Sequence, residues 1–146
     1  MLAESNAVFS AIYEVILGLL QLYNEIVVLP PNKMPDEILE LSKCDALLDC
    51  IGAIDGTHLP IIIKGGEDTQ VPWRDKAQKL TQNIFVAVDF KLNFVYVLTG
   101  WEGSAYNQQV FNAAKNKREG AFKIPLGCYY AADAGYTNTA IILMLY

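Results

Sequence analysis

Residues 50–60 read CIGAIDGTHLP, an apolar run that presents Asp55 at its end, followed at once by Gly56. Such a run is typical of a buried strand, and the glycine marks a point where the backbone turns or is closely approached. Residues 128–136, CYYAADAGY, repeat the arrangement, with Asp133 after the apolar run and a glycine two positions later. The sequence therefore predicts two strands that each carry an aspartate at the carboxyl end.

Two strand-end aspartates on one edge of a sheet would form a site for a divalent metal, because hard cations such as Mg²⁺ and Mn²⁺ take carboxylate oxygens. A simpler interpretation is that Asp55 and Asp133 are turn residues, since Asp-Gly and Asp-x-Gly are common turn signals. The residues themselves leave both interpretations open.

Four stretches, in order along the chain, resemble the endonuclease domain of the Harbinger/PIF-type DDE transposases and their domesticated nuclease relatives. They are IGAIDGTH at 51–58, QNIFVAVDF at 82–90, FVYVLTGWEGSA at 94–105 and YYAADAGY at 129–136. A weaker resemblance extends back to about Ser5, so nearly the whole chain is covered.

The resemblance implies an α/β fold, a ribonuclease-H-like mixed sheet with flanking helices, whose first and fourth strands lie side by side. It also implies that Asp55 and Asp133 are the first two acids of a catalytic triad that holds Mg²⁺ or Mn²⁺. The family's third acid, a glutamate, lies further along its sequence than Tyr146. We therefore expect a nuclease domain that is C-terminally incomplete and truncated before the third acid.

Several polar residues bear on that expectation. The family often shows His-Asp where this chain has Tyr106 and Asn107, a departure that removes a titratable pair from the site. Asp89 and Glu102 are candidates for the missing acid, although their positions indicate a hairpin end and the surface side of a turn. His58 follows Asp55 by three, and a strand-end histidine bonded to the backbone is the ordinary interpretation.

Three functions are then in competition. The first is a metal-dependent endonuclease acting on DNA phosphodiesters, impaired in this form. The second is a non-catalytic, domesticated or degenerate remnant that binds a protein partner. The third is an unrelated metal-dependent phosphohydrolase with two strand-end aspartates. By resemblance, we expect DNA as partner, a protein partner that supplies DNA binding, and a nuclear location.

The chain divides by pattern into a helical N-terminal segment, 1–45, and a partial endonuclease domain, 46–146. Residues 6–24 carry the spacing of an amphipathic helix, which we expect to pack on the domain because its polar positions are not basic. A second helix is predicted from Pro35 to about Ser42, with proline and acids in its first turn. No run of ~20 uninterrupted apolar residues predicts a membrane span.

The remaining pattern predicts the order of elements in the domain. The first strand covers 50–55 and resumes at 59–64, and a hairpin joins two antiparallel strands, 84–90 and 94–98. A helix is predicted over 105–117 with Val110, Phe111 and Ala114 inward, and a final helix from about Asn138. This pattern alone fits any α/β or α+β fold.

The net charge of −5 is unevenly spread: residues 1–55 hold nine acids and two bases, whereas 56–146 hold seven acids and nine bases. Because phosphate contacts need Lys and Arg, any nucleic-acid contact is expected on the second part. Cys44, Cys50 and Cys128 form no CxxC pair, and buried thiols in a reducing, intracellular compartment are the expectation.

Overall fold

A five-stranded mixed sheet forms the centre of the protein, whose computed structural model describes residues 2–28 and 47–145. Its strands lie in the order β3-β2-β1-β4-β5. They are β1 (Cys50–Pro60), β2 (Thr81–Val88), β3 (Phe94–Glu102), β4 (Tyr129–Ala132) and β5 (Ile142–Met144). The helices are α1 (Leu2–Ile26), the single turn α2 (Glu67–Gln70) and α3 (Asn107–Asn116), with a 3-10 turn at Val71–Trp73.

Strand directions make the sheet mixed. β2 is antiparallel to both β1 and β3, whereas β4 is parallel to β1 and to β5. The predicted α/β class, with a mixed sheet and flanking helices, is confirmed at this level.

β1 lies in the middle of the sheet, and its buried residues are apolar. Cys50, Ile51 and Ile54 are each no more than 2% exposed. Gly52 has φ +154°, and a Cβ there would lie 2.0 Å from the carbonyl oxygen of Val88, so only glycine fits. The pairing of β1 with β4 shifts register at this glycine.

Aromatic side chains fill the core between the sheet and α3. The ring of Phe85 lies 5.4 Å from Phe122 and 5.8 Å from Phe111, in tilted or edge-on contacts. The predicted inward face of α3 is confirmed, since Val110, Phe111 and Ala114 are all buried. Burying each large apolar side chain contributes about 1.5–3 kcal/mol.

The predicted hairpin between β2 and β3 is confirmed, and Asp89 closes it. Its carboxylate accepts hydrogen bonds from the backbone amides of Lys91 (2.8 Å) and Asn93 (2.9 Å) and from the Asn93 side chain (3.0 Å). Partial burial alone would raise the pKa of Asp89, but these hydrogen bonds and the Lys91 charge outweigh it and lower the pKa. Asp89 is thus a hairpin-end residue, as predicted.

Two of the predicted elements are wrong. The first strand is one continuous element that ends at Pro60, and residues 61–64 do not extend it. In place of the final helix, Ile142–Met144 pairs in parallel with β4. The reason is burial: Ile142 is fully buried in the core, and pairing with Tyr130 satisfies a strand edge that would otherwise be open.

Helix α1 forms as predicted, but among the described residues the expectation that it packs on the domain is met only at its C-terminal end, where Leu20 and Tyr23 line a cavity with Val97 of β3. Val8, Phe9 and Leu19 are 60%, 75% and 63% exposed. One hydrogen bond joins the helix to the sheet, from the Tyr23 hydroxyl to the carbonyl oxygen of Val97 (3.3 Å). The apolar face of α1 is therefore open within the described structure.

The stretch Asn6–Tyr23 of α1 is long and apolar enough to cross a membrane, judged by length and composition, and none of it is buried. Glu14 interrupts it. The expectation of no membrane partner stays a prediction.

Three sequence predictions fall outside the described residues. These are the helix Pro35–Ser42, the thiol of Cys44 and the boundary between 1–45 and 46–146. Cys50 and Cys128 are buried cysteines outside any disulfide, and burial raises the pKa of each thiol.

Candidate active site

The parallel pairing of β1 with β4 brings the two predicted acids together. Ile54 is paired with Ala132, so Asp55 and Asp133, the next residue on each chain segment, lie side by side where the pairing of β1 with β4 ends. Asp133 follows β4, whereas Asp55 is not at a strand end as predicted, because β1 continues to Pro60 in its pairing with β2. Both acids line one cavity of about 830 Å³. The two acids are 78 positions apart in the sequence, and the pairing of β1 with β4 brings them together.

Each carboxylate is held by the backbone that follows it. Asp55 Oδ1 accepts the amide of Gly56 at 2.7 Å, and Asp133 Oδ1 accepts the amide of Gly135 at 2.9 Å. Within the described chain, neither Oδ2 atom has a protein hydrogen-bond donor. Asp133 thereby closes the turn that follows β4, whereas Asp55 lies inside β1, and each acid leaves its other oxygen available to a ligand.

Asn107, the first residue of α3, lies between the two acid-bearing segments. A Cβ built on Gly56 would lie 2.3 Å from Asn107 Oδ1, and one built on Gly135 would lie 3.3 Å from Asn107 Nδ2 and 3.0 Å from Asp133 Oδ1. Glycine at both positions is what lets the amide approach the two acid-bearing segments.

A hydrogen bond from the buried Asn83 side chain fixes the Asn107 amide. Asn83 on β2 donates to Asn107 Oδ1 (3.2 Å) and to the carbonyl oxygen of Ala105 (3.0 Å). Asn83 is fully buried, and its own Oδ1 has no partner among the described residues. Sequence reasoning treated Asn107 only as a departure and missed Asn83. The available signal was the pair of amides, Gln82 and Asn83, at the start of the apolar run in β2.

Tyr136 follows Asp133 by three residues and is almost fully buried. Burial, followed by the charges of Asp55 and Asp133, raises the pKa of its hydroxyl well above the ordinary tyrosine value. The backbone amide of Tyr136 donates to the carbonyl oxygen of Asp133 (3.3 Å), which ties the tyrosine to the segment that carries the second acid.

The sequence also indicated His58, Asp89 and Glu102 as candidate site residues, and only His58 lines the cavity. His58 lines the cavity, but its Nδ1 is hydrogen-bonded to the side chain of Thr81 (3.0 Å) and not to the backbone as expected. Asp89 follows β2 at the strand end remote from Asn83, with the hairpin. Glu102 is exposed at the end of β3 and does not line the cavity.

The oxygen atoms of the site are of the type that hard cations bind, but there are few of them. Among the described residues, no three His, Cys, Asp or Glu side chains converge to hold a metal ion. The site offers two carboxylate oxygens, with the Asn107 amide beside them. Mg²⁺ is commonly held by one or two carboxylates with water and substrate phosphate completing its shell, so Asp55 and Asp133 fit such an ion.

Sequence comparison shows a distant similarity between this chain and a plant protein. No model of a known protein family matches the chain, and no solved structure matches it. The chain is 27% identical over 119 residues to "Protein ALP1-like" from Arabidopsis thaliana, and the match covers 73% of this chain and 29% of that protein. The chain is therefore similar to less than a third of a plant ALP1-like protein.

Proposed function

We propose that this chain forms the core of a metal-dependent endonuclease of the Harbinger/PIF-type DDE class, acting on DNA phosphodiesters in the nucleus. The observation that carries the proposal is the placement of Asp55 and Asp133 side by side, facing one cavity. The similarity to Protein ALP1-like supports the family resemblance at the level of sequence.

The sheet supports a ribonuclease-H-like core. Its order, β3-β2-β1-β4-β5, puts the first and fourth strands together, and β2 alone runs against the other four strands. This is the relation between first and fourth strands that the family resemblance implies. An acid on each of the two strands then reaches the same edge.

In this proposal Asp55 and Asp133 would hold Mg²⁺ or Mn²⁺ through their carboxylates. When bound, such an ion supplies Lewis-acid stabilisation of the phosphate and a more acidic water. The backbone amides of Gly56 and Gly135 keep each carboxylate oriented, and Asn107 packs against both glycines. With two carboxylates we expect weak binding of one ion and slow cleavage, because two-metal chemistry needs more anchoring oxygens.

Titration of Mn²⁺ into the wild type, Asp55→Asn and Asp133→Asn tests the site, read by the electron paramagnetic resonance signal of free Mn²⁺. Either substitution should weaken binding about tenfold or more, and Asp68→Asn, an exposed acid in α2, should not. Nicking of supercoiled plasmid by the same proteins tests the activity. Equal Mn²⁺ binding in all four proteins would overturn the proposal.

A second candidate, a non-catalytic remnant that binds a protein partner, is favoured by one observation. Helix α1 leaves its apolar side chains exposed, which is a feature of interaction surfaces. The two candidates differ in the metal experiment. A remnant would bind no Mn²⁺ at Asp55 and Asp133 and would nick no DNA.

A further inference from the structure

A rigid, basic loop forms part of the cavity wall shared with the two acids. Residues 74–79, here called the basic loop, connect the 3-10 turn to β2 and are closed by a bridge between Arg74 and Leu80. Asp75 fixes its shape, because the Asp75 carboxylate accepts the amides of Ala77 (2.8 Å) and Lys79 (2.9 Å). The loop therefore holds its conformation through its own hydrogen bonds.

The residues on either side of the basic loop are also hydrogen-bonded to the segments that follow β3 and β1. The amide of Ser104, just after β3, donates to the carbonyl oxygen of Pro72 (3.1 Å), and the amide of Ile61, just after β1, donates to that of Leu80 (3.1 Å). These bonds anchor the basic loop on both sides. Its position relative to the strand ends is thus defined by the backbone.

Two cations of the basic loop line the cavity together with Asp55 and Asp133. The Arg74 guanidinium is oriented by Glu67, whose carboxylate oxygens lie 2.7 and 3.0 Å from Nη2. Its Nε atom is buried and has no acceptor among the described residues. Lys76 is exposed and makes no ion pair within the described chain. One cavity therefore carries two acids together with two cations, of which Lys76 has no acidic partner among the described residues.

This distribution of charge matches a phosphodiester chain held at two points. Carboxylates alone repel a phosphate and attract a metal ion, whereas Arg74 and Lys76 attract phosphate oxygens directly. The basic part of the chain, residues 56–146, contains the loop. A single small anion would leave most of a cavity of about 830 Å³ unfilled.

We infer that the basic loop binds, through Arg74 and Lys76, a backbone phosphate of DNA next to the phosphate that reacts at the metal site of Asp55 and Asp133. The inference rests on the proposed function, which names DNA as substrate. It adds the residues that hold the strand beside the metal site. Free phosphate has the same chemistry as the backbone phosphate, so the experiment separates the two.

The test measures binding of a fluorescein-labelled DNA duplex by anisotropy, in EDTA, over a range of salt concentrations. Lys76→Gln should weaken binding roughly 3- to 10-fold and reduce the slope of log affinity against log salt by about one. Arg74→Lys should weaken binding as well, because lysine keeps the charge but has no Nε donor and no planar fork. Lys91→Gln, in the β2–β3 hairpin, is the matched control and should bind as the wild type does.

Three further results would decide whether the basic loop binds DNA. Wild-type affinity and salt slope in both Lys76→Gln and Arg74→Lys would overturn the inference, while Mn²⁺ binding at Asp55 and Asp133 would leave the proposed function intact. Inorganic phosphate bound by the wild type and lost in Lys76→Gln, with DNA affinity unchanged, would overturn it in favour of a small-anion site. Wild-type protein that binds neither DNA nor Mn²⁺ would overturn both proposals. Thermal unfolding of each variant shows whether it is folded.

Discussion

Asn107 fills the space directly in front of Gly56: a Cβ at Gly56 would lie 2.3 Å from Asn107 Oδ1 and 2.6 Å from Cγ. Because the Asn83 side chain donates to the same Oδ1, the amide cannot move away without breaking a hydrogen bond in a buried environment. The glycine after the first acid is thus a packing requirement imposed by α3.

Substituting Gly56 by alanine should therefore destabilise the protein by about 1–3 kcal/mol, the usual effect of overpacking. Urea unfolding followed by tryptophan fluorescence measures the change. Gly18→Ala is the control, since a Cβ there meets no atom within 4 Å and alanine favours a helix. A Gly56→Ala protein as stable as the wild type would show that Asn107 is free to rotate away.

Converting Asn107 to aspartate should strengthen Mn²⁺ binding, because a third carboxylate would then lie beside Asp133. We expect about a tenfold gain, equivalent to about 1.4 kcal/mol. Asn112→Asp, an exposed position on the same helix, adds the same charge away from the site and should change the affinity little. Equal effects of the two substitutions would indicate a general charge effect and no coordination by residue 107.

The same Asp→Asn change should have different effects at Asp89 and Asp55: it should lower stability at Asp89 and weaken Mn²⁺ binding at Asp55. Asp89→Asn should lower the free energy of unfolding by about 1 kcal/mol, because the carboxylate accepts three hydrogen bonds in the hairpin, and should leave Mn²⁺ binding unchanged. Since its folded pKa is lowered, the Asp89 contribution is present at neutral pH and is lost on acidification through that pKa. Weakened Mn²⁺ binding in Asp89→Asn would instead make it a ligand.

Alkaline pH should destabilise the protein through Tyr130 and Tyr136. Burial raises the pKa of both hydroxyls above the ordinary 10.0, with nearby charges adding to the effect. Above about pH 10 the unfolded state has lost these protons and the folded state has kept them, so the free energy of unfolding falls as pH rises, by up to about 1.4 kcal/mol per pH unit for each group.

The double variant Tyr130→Phe/Tyr136→Phe should flatten this pH dependence, measured by urea unfolding at successive pH values above 9. Neither buried hydroxyl has a hydrogen-bond partner among the described residues, so the variant should also be no less stable at pH 7. Tyr106→Phe, at a position 71% exposed, is the control. An unchanged alkaline slope in the double variant would contradict the prediction.

The exposed face of α1 should bind the dye ANS, and replacing Val8, Ile12 and Leu19 by glutamine should reduce the fluorescence. The same triple change should alter the free energy of unfolding of the sheet little, because these side chains are 54–63% exposed. Phe85→Ala is the contrasting change, with an expected loss of about 3–5 kcal/mol. A large loss of stability in the triple variant would show that α1 packs on the domain after all.

Local patterns predicted much of the fold. The hairpin closed by Asp89, the buried face of α3 and the apolar strand segments that precede Asp55 and Asp133 each follow from residues within one element. Side-chain periodicity and turn preferences act over a few residues, and for these features that range is sufficient. The pairing of the two aspartates at one edge was expected from family resemblance, since neither strand pattern specifies its neighbour.

Contacts between distant segments decided the rest. Residues 142–144 pair as a strand because β4 has an open edge and the core has room for Ile142, neither of which is visible in the local pattern. The bond between Asn83 and Asn107 joins residues 24 apart, and the basic loop reaches the acids only through the folded sheet. Packing in three dimensions satisfies backbone groups and buried amides whose partners lie far along the chain, and a one-dimensional pattern does not specify those partners.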